Sequence, residues 1–421
     1  MSQLYVFYEE RLIGIFKKDE DDIHSFQYDV SWLEASDAFD LSLQLPRRAE
    51  AFGNRLTLSF FGNLLPEGDT RHVLEKNHQI SGVFQTLQKY GEDCAGAVIL
   101  SSSSSPPKAA STQTEVLLPL KDVEAALDKG TVVDLLAKNN PGYLSLAGAQ
   151  DKFPAIVRDN TIYLPTSGQP TTHIIKPPIR HPSKYVKETV YNEYYCMKLA
   201  KAVGLSVSEV FVIQGQRYPL FVTKRFDRRN VNNRIQRLHI QDFCQARGLP
   251  SEKKYQHQGG LSFSDCYQVI KDHVHIRKKN QNLIHLLDWL CFNLLIGNND
   301  SHSKNISLIL SNDKYELTPF YDLLCTAIYP TLQTKFAFSI GGRWDMSCPG
   351  IKHFSKFEEE LELKPGTMLF RLQKMYSSLQ EHKDNLAMEI QDEFSQCKIA
   401  KRISRKIDVR AKGFRTAGLK L

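Results

Sequence analysis

The chain has 421 residues, 42% hydrophobic and 24% charged, with a net charge of +7. That length holds one large bilobal core or two to three domains, with the ordinary composition of a soluble globular protein. The charge is too small to mark a nucleic-acid binder, and no apolar run reaches the roughly 18 residues of a membrane span. Eight cysteines occur without a CxxC pair, so Cys196, Cys244, Cys291 and Cys325 read as small buried hydrophobes in a reducing compartment. Neither a disulfide frame nor a zinc site is expected.

The start, MSQLYVFYEERLIGIF, alternates as strands do and lacks the charge-then-apolar plan of a signal peptide. A hairpin is expected over 3–16, and the expected location is cytoplasmic. LTLSFFGNLLPEG (56–68) predicts a helix ending near Pro66. SSSSSPPKAASTQT (101–114) is low in complexity and reads as an exposed linker after a first unit of roughly 100 residues. LKDVEAALDKG (120–130) predicts a helix stopped by Gly130, and 141–165 a loop entering two strands. HIIKPP (173–178) is a short strand ending in Lys176. KETVYNEYYCMKLAKAVGL (187–205) predicts a strongly amphipathic helix stopped by Gly204. VFVIQGQRYPLFVTKRFDR (210–228) reads as two more strands, and the pattern from 237 onward is mostly helical. LLDWLCFNLLIG carries Asp288 yet fits a buried helix. The basic stretch KIAKRISRKIDVRAKGFR reads as a solvated helix face.

Residues 293–322, NLLIGNNDSHSKNISLILSNDKYELTPFYD, carry the chemistry. Asp300 is followed at five residues by Asn305, then a strand, a turn, a second strand and Asp322. Protein kinases use this order. One carboxylate faces the acceptor hydroxyl, while an amide and a second carboxylate hold Mg²⁺ on the phosphates, and a hairpin brings both ends to one point. The competing reading of Asp300 is a helix-ending turn, where Asn and Asp are common. Lys304 either contacts the transferred phosphoryl group or faces solvent. With no HExxH spacing, His302 reads as structural or nucleotide-adjacent.

Lys176 stands where a kinase's phosphate-anchoring Lys belongs, or is a solvated strand end. Glu193 on the following helix either pairs with it or is a surface carboxylate. LAGAQDK (146–152) is small and flexible enough to cradle phosphate, though it is neither GxGxxG nor GxxxxGK[ST]. Ser145 before it is an accessible hydroxyl or a turn residue. TKRFDRR (223–229) is an adenine-binding hinge or a basic surface turn.

Taken together, FFGNLLPEG, YGEDCAGAV, SLAGAQDKF, TTHIIKPP, NEYYCMKLAKAVGL, KRFDRR, YQHQGG, GNNDSHSKN and LTPFYD resemble the HipA-type serine/threonine kinases of bacterial toxin–antitoxin systems. The segments follow the family's order over about 56–322. The resemblance implies an α+β, bilobal, protein-kinase-like fold with a mixed α/β N-terminal lobe, an extra N-terminal subdomain and an α-rich C-terminal lobe. The implied division is 1–115, 116–236 and 237–421, a full-length member.

It also implies Asp300 as the catalytic Asp, Asn305 and Asp322 as Mg²⁺ ligands, and Ala147, Gly148, Ala149, Gln150, Asp151 and Lys152 as the phosphate loop. Lys176 would meet the α/β phosphates and Lys224, Arg225 and Phe226 would form the hinge. His302, Ser303, Lys304 and Tyr321 would complete the ATP site. Ser145 matches the family's autophosphorylated serine, whose modification expels the phosphate loop. The implied substrate is glutamyl-tRNA synthetase, whose phosphorylation causes growth arrest and persistence. The implied partner is a HipB-like helix-turn-helix antitoxin that brings operator DNA. Lys224 stands where some relatives carry Glu, Asp151 where Glu is also used, and SIGGRWDMSCPGIKHF lacks a dense lysine cluster for direct DNA contact. Other classes remain open: a co-repressor acting mainly with the antitoxin, or a small-molecule kinase, since aminoglycoside and choline kinases share the Asp-to-Asn spacing.

Overall fold

The computed structural model describes residues 2–67, 71, 75–76, 79–106, 115–132, 135–136, 152–166, 168–179, 183, 186–232, 234–311, 314–332, 334–345 and 348–421. These form two compact units that alternate along the chain. Met1–Pro177, Ile213–Ser251 and Ser307–Lys314 make the first, and Pro178–Val212, Glu252–Ile306 and Tyr315–Leu421 the second. The first unit is discontinuous because the strand Ser307–Ser311 returns to pair antiparallel with Ile240–Asp242, Ile240 opposite Ile309.

The first unit begins with the expected hairpin, Ser2–Tyr8 against Arg11–Lys18. His24–Tyr28 flanks it on one side and Val98–Ser101 on the other. A register shift between Val6 and Phe7 turns both inward, so burial departs from strict alternation there. Aromatics fill the core: Phe16 stacks on Phe61 at 4.5 Å between ring centroids, and Trp32 packs edge-on against Phe39 at 5.1 Å. Such rings bury large apolar area, each worth roughly 2–3 kcal/mol on transfer from water. Phe61 closes the helix Asn54–Phe61, which starts before the expected 56–68 segment and stops short of Pro66, passing into the 3₁₀ turn Gly62–Leu64.

A second, six-stranded sheet runs in the order Val116–Leu117, Thr161–Leu164, Phe153–Arg158, His173–Lys176, Pro219–Lys224, Val210–Gln214. The helix Leu120–Lys129 stops at Gly130, as the sequence predicts. Its Glu124 is buried and accepts from the Arg217 N–H at 2.7 Å, tying the helix to the turn before Pro219–Lys224.

The second unit is helical. Ile276–Ile296, Thr367–Glu393 and Ile399–Thr416 pack around Thr189–Ala202 and one another. One expectation fails here. Thr189–Ala202 is not amphipathic, because neighbouring helices cover nearly its whole circumference and leave Thr189, Asn192 and Glu193 buried with the apolar residues. The region after 237 also contains an unforeseen hairpin, Lys335–Ile340 with Arg343–Asp345, turned by Gly341 and Gly342. Paired glycines between FAFSI and RW are its sequence signal. The basic helix Ile399–Thr416 buries Ile399, Ile403, Ile407 and Phe414 and exposes Lys401, Arg402 and Arg405, as expected of a solvated face. Among the described residues the cysteines are free, and seven of the eight are buried.

Candidate active site

The helix Ile276–Ile296 delivers the catalytic-loop candidate, and its buried stretch contains Trp289 and Leu295 at 0% exposure. Asp288 is tolerated there because Arg371 meets it at 3.2 Å. Burial pushes the Asp288 carboxyl up, with Arg371 acting against that rise. The helix stops at Gly297, whose φ of +75° favours glycine. A Cβ there would also lie 2.7 Å from the Ala327 Cβ, so the helix end sits against the segment after Asp322.

From that cap a relay of amides sets the loop. Asn293 Nδ2 donates to the Trp289 carbonyl at 2.8 Å, and Asn298 Nδ2 donates to Asn293 Oδ1 at 2.8 Å. Asn298 Oδ1 accepts the Asp300 N–H at 3.1 Å. The Asn299 N–H donates to Thr326 Oγ1 at 2.8 Å. The Asp300 carbonyl then accepts from the His302 N–H at 2.9 Å and from Asn305 Nδ2 at 2.9 Å. The five-residue spacing is thus a closed turn: the Asn305 side chain reaches back to Asp300. Its Nδ2 being engaged, Oδ1 is the atom left for a cation. The Asp300 side chain remains 42% exposed, with its Oδ1 3.9 Å from His302 Nε2 and accepting from the Tyr255 hydroxyl. Ser303 and Lys304 are buried in the short 3₁₀ turn Ser303–Asn305.

Strands follow where expected, Ser307–Ser311 and Lys314–Leu317. Phe320, buried against Trp289 at 5.8 Å, fixes the return. The Tyr321 hydroxyl donates to the Lys304 carbonyl at 2.7 Å, tying the end of the excursion to the loop that began it. Asp322 has φ +60°, a conformation costly for a non-glycine residue and concentrated at functional sites. Both candidate metal ligands and Asp300 belong to the second unit.

Glu193 also belongs to this unit and is 3% exposed, which rules out the surface-carboxylate reading. Its neighbour Asn192 clamps the segment after Asp322: Oδ1 accepts the Cys325 N–H at 2.8 Å and Nδ2 donates to the Cys325 carbonyl at 3.0 Å. The same Nδ2 lies 3.1 Å from the Tyr329 hydroxyl, which donates to the Lys187 carbonyl at 3.0 Å.

In the first unit, Lys176 ends its strand opposite Phe221 and is 5% exposed, not a solvated strand end. Lys152 precedes the neighbouring strand and is half-buried. TKRFDRR is not a basic surface turn. Lys224 is exposed, but Arg225, Asp227 and Arg228 are buried in an ion network with Asp93 and Arg237. Arg225 donates to Asp227 from Nε at 2.9 Å and to Asp93 from Nη1 at 3.0 Å, and its N–H is taken by the Thr172 carbonyl at 2.9 Å. Its N–H and its guanidinium are therefore both engaged within the unit. Burial pushes Asp93 and Asp227 up, but their arginines outweigh it and hold both carboxyls below the usual range. The same burial lowers Arg228 to about 10.

Ser145, Ala147, Gly148, Ala149, Gln150 and Asp151 lie outside the described residues. Sequence reasoning assigned no role to Asn192, Asn298 or Tyr255, although they lie in the family-like segments NEYYCMKLAKAVGL, GNNDSHSKN and YQHQGG, because the contacts that give them a role join distant parts of the chain or depend on the loop's folded turn. Among the described residues no three His, Cys, Asp or Glu side chains gather as a metal site. The kinase-type Mg²⁺ ligand set fits this, because it takes one amide, one carboxylate and phosphate oxygens. No described helix is long and apolar enough to cross a membrane.

Residues 4–101 match the HipA N-terminal domain and 144–383 the HipA-like C-terminal domain. A putative kinase, Y4mE, of Sinorhizobium fredii is 38% identical over 363 residues, covering 84% of this chain and 85% of its own length. The serine/threonine-protein kinase toxin HipA of Shewanella oneidensis is 28% identical over 371 residues, covering 84% and 82%. HipA in the solved complex of the Shewanella oneidensis HipA, HipB and operator DNA superposes with a TM-score of 0.83 at 25% identity, over 98% of this chain and 97% of that one. With that likeness the α+β, kinase-like fold of HipA type stands, and the chain belongs to the HipA family.

Proposed function

We propose that this protein is an ATP- and Mg²⁺-dependent serine/threonine-protein kinase, the cytoplasmic toxin of a toxin–antitoxin pair. The observation that carries the reading is the Asn305 side chain closing onto the Asp300 carbonyl at 2.9 Å. That closure presents a carboxylate outward and leaves an amide oxygen for a cation, the division of labour phosphoryl transfer needs. Asp300 orients the acceptor hydroxyl and takes its proton. Asn305 and Asp322 hold Mg²⁺, which neutralises charge on the phosphates. Ala147–Lys152 and Lys176 hold the phosphates, and His302, Ser303, Lys304 and Tyr321 shape the nucleotide site. Lys224 and Phe226 supply the hinge by their backbone, and Arg225 supports it from behind. Phosphate on Ser145 adds about two negative charges beside the phosphate loop and switches the kinase off.

The proposed substrate is glutamyl-tRNA synthetase, with growth arrest and persistence as consequences. The proposed partner is a HipB-like antitoxin that brings operator DNA. The solved relative in complex with HipB and operator DNA supports that partner.

Intact-mass and phosphopeptide spectrometry of dephosphorylated protein incubated with ATP and Mg²⁺ tests the reading, comparing wild type with Asp300→Gln. Phosphate on Ser145 in the wild type alone is expected, with ATP binding retained by the variant. Equal loss of binding and transfer in Asp300→Gln sinks the role assigned to Asp300.

A further inference from the structure

We infer that Tyr255 is a positioning residue for phosphoryl transfer, holding Oδ1 of Asp300 so that Oδ2 receives the acceptor proton. The inference rests on the kinase reading and goes beyond it, since neither the spacing of Asp300, Asn305 and Asp322 nor the family's site residues point to Tyr255.

The Tyr255 hydroxyl donates to Asp300 Oδ1, and His302 Nε2 approaches the same oxygen at 3.9 Å. Among the described residues no hydrogen bond reaches Oδ2, on a side chain that is 42% exposed. One oxygen is therefore held and the other open.

The tyrosine is itself fixed on four sides. Its carbonyl accepts from the Gln258 and Gly260 N–H groups, each at 3.0 Å, which closes the turn. Gly260 is required there, because a Cβ would fall 2.1 Å from the Lys253 carbonyl oxygen. The preceding Lys254 carbonyl accepts Ser303 Oγ at 2.9 Å, so turn and catalytic loop are bonded directly. Gln256 Oε1 accepts the Ser339 N–H at 2.9 Å, anchoring the turn to the glycine hairpin. The Tyr255 ring meets His302 edge-on at 5.1 Å. A donor so constrained selects one carboxylate rotamer.

In the step that results, the acceptor O–H proton passes to Asp300 Oδ2 and the acceptor oxygen bonds to the γ-phosphorus. The bond from that phosphorus to the bridging oxygen breaks, and its electron pair leaves on ADP.

The test compares wild type, Tyr255→Phe and Asp300→Gln, all dephosphorylated, by the rate of phosphate uptake from radiolabelled ATP with Mg²⁺. ATP binding and thermal melting are measured on each. Tyr255→Phe keeps the ring against His302 and removes only the donor. Its rate constant is expected to fall about 10- to 100-fold, the scale of one hydrogen bond to a charged group, with KM for ATP and the melting temperature unchanged. An unchanged rate constant overturns the assignment. So does a fall accompanied by lowered melting or weakened ATP binding, which makes Tyr255 merely structural. If Asp300→Gln retains transfer, or wild type never takes up phosphate, the kinase reading itself fails and this inference with it. A silent Asp300→Gln beside a fully active Tyr255→Phe removes the present inference alone.

Discussion

In the first unit, Asp93, Asp227, Arg225, Arg228 and Arg237 are buried together and held by charge. Around the catalytic loop of the second unit, Asn192, Asn293, Asn298 and Thr326 tie the loop and the segment after Asp322 with neutral groups. Both regions link strands of sequence far apart: Asp93 to Arg228 in one, Asn192 to Cys325 in the other. The difference follows from what each must leave undisturbed. Buried charges recover their desolvation cost only when every partner is present, so a charged knot suits side chains that stay sealed while Lys224 and Phe226, the proposed hinge, offer only their backbone. Amides satisfy the backbone without adding a field. Beside Asp300 and Asp322, where a cation and phosphates are proposed to bind, an added buried charge would compete with both. Lys304, Glu193 and Arg410 are buried charged exceptions, and burial holds the Arg410 guanidinium below the usual range while Nε donates to the Leu294 carbonyl at 2.5 Å.

The largest loss is expected from Asp93→Ala. It strands Arg225, Arg228 and Arg237 around one missing carboxylate and should cost about 3–5 kcal/mol, read from urea unfolding. A loss under about 1 kcal/mol would mean that water reaches the arginines and the knot is not sealed.

Acid tests the first region next, through its buried His239. Burial lowers His239, stacked on Phe39 at 4.5 Å with Nε2 3.0 Å from the Leu41 carbonyl, from 6.5 to about 4. Below pH 6.5 the unfolded chain takes up a proton that the folded one refuses, so stability falls until about pH 4, by roughly 3 kcal/mol. Asp93 and Asp227 have depressed folded values, so their contribution holds above the ordinary carboxylate range and is lost only as pH falls further. Unfolding free energies at intervals from pH 7 to pH 4 should show the slope in wild type and lose most of it in His239→Gln. Equal slopes would assign the acid loss to other groups.

The smallest effect is expected in the amide clamp. Asn192→Ala leaves the Cys325 N–H and carbonyl without that partner and should cost about 1–3 kcal/mol, less than the charged knot. A loss as large as that of Asp93→Ala would erase the distinction between the two chemistries.

Much of the fold could be read in advance because its signals are local. The hairpin over 3–16, the helix stopped by Gly130, the strand ending at Lys176 and the buried helix around Trp289 follow from alternation, caps and apolar runs. Thr189–Ala202 departs from the amphipathic expectation because its apolar residues spread around the axis instead of lining one face, and helices far along the chain cover them. Likewise TKRFDRR alone leaves a hinge and a basic surface turn both open, and the turn is excluded by Asp93, 132 residues away in sequence, which meets Arg225.

The sequence by itself determined the order of chemistry-bearing residues, Asp300, Asn305 and Asp322, and the local elements that carry them, since spacing within a loop and hairpin needs no distant information. Only the tertiary structure decided how those residues are held. Hydrogen bonds from Tyr255 to Asp300 and from Asn192 to Cys325 join positions 45 and 133 residues apart. Such pairings are selected by burial, which makes an unsatisfied polar group costly, and burial is a property of the folded chain as a whole.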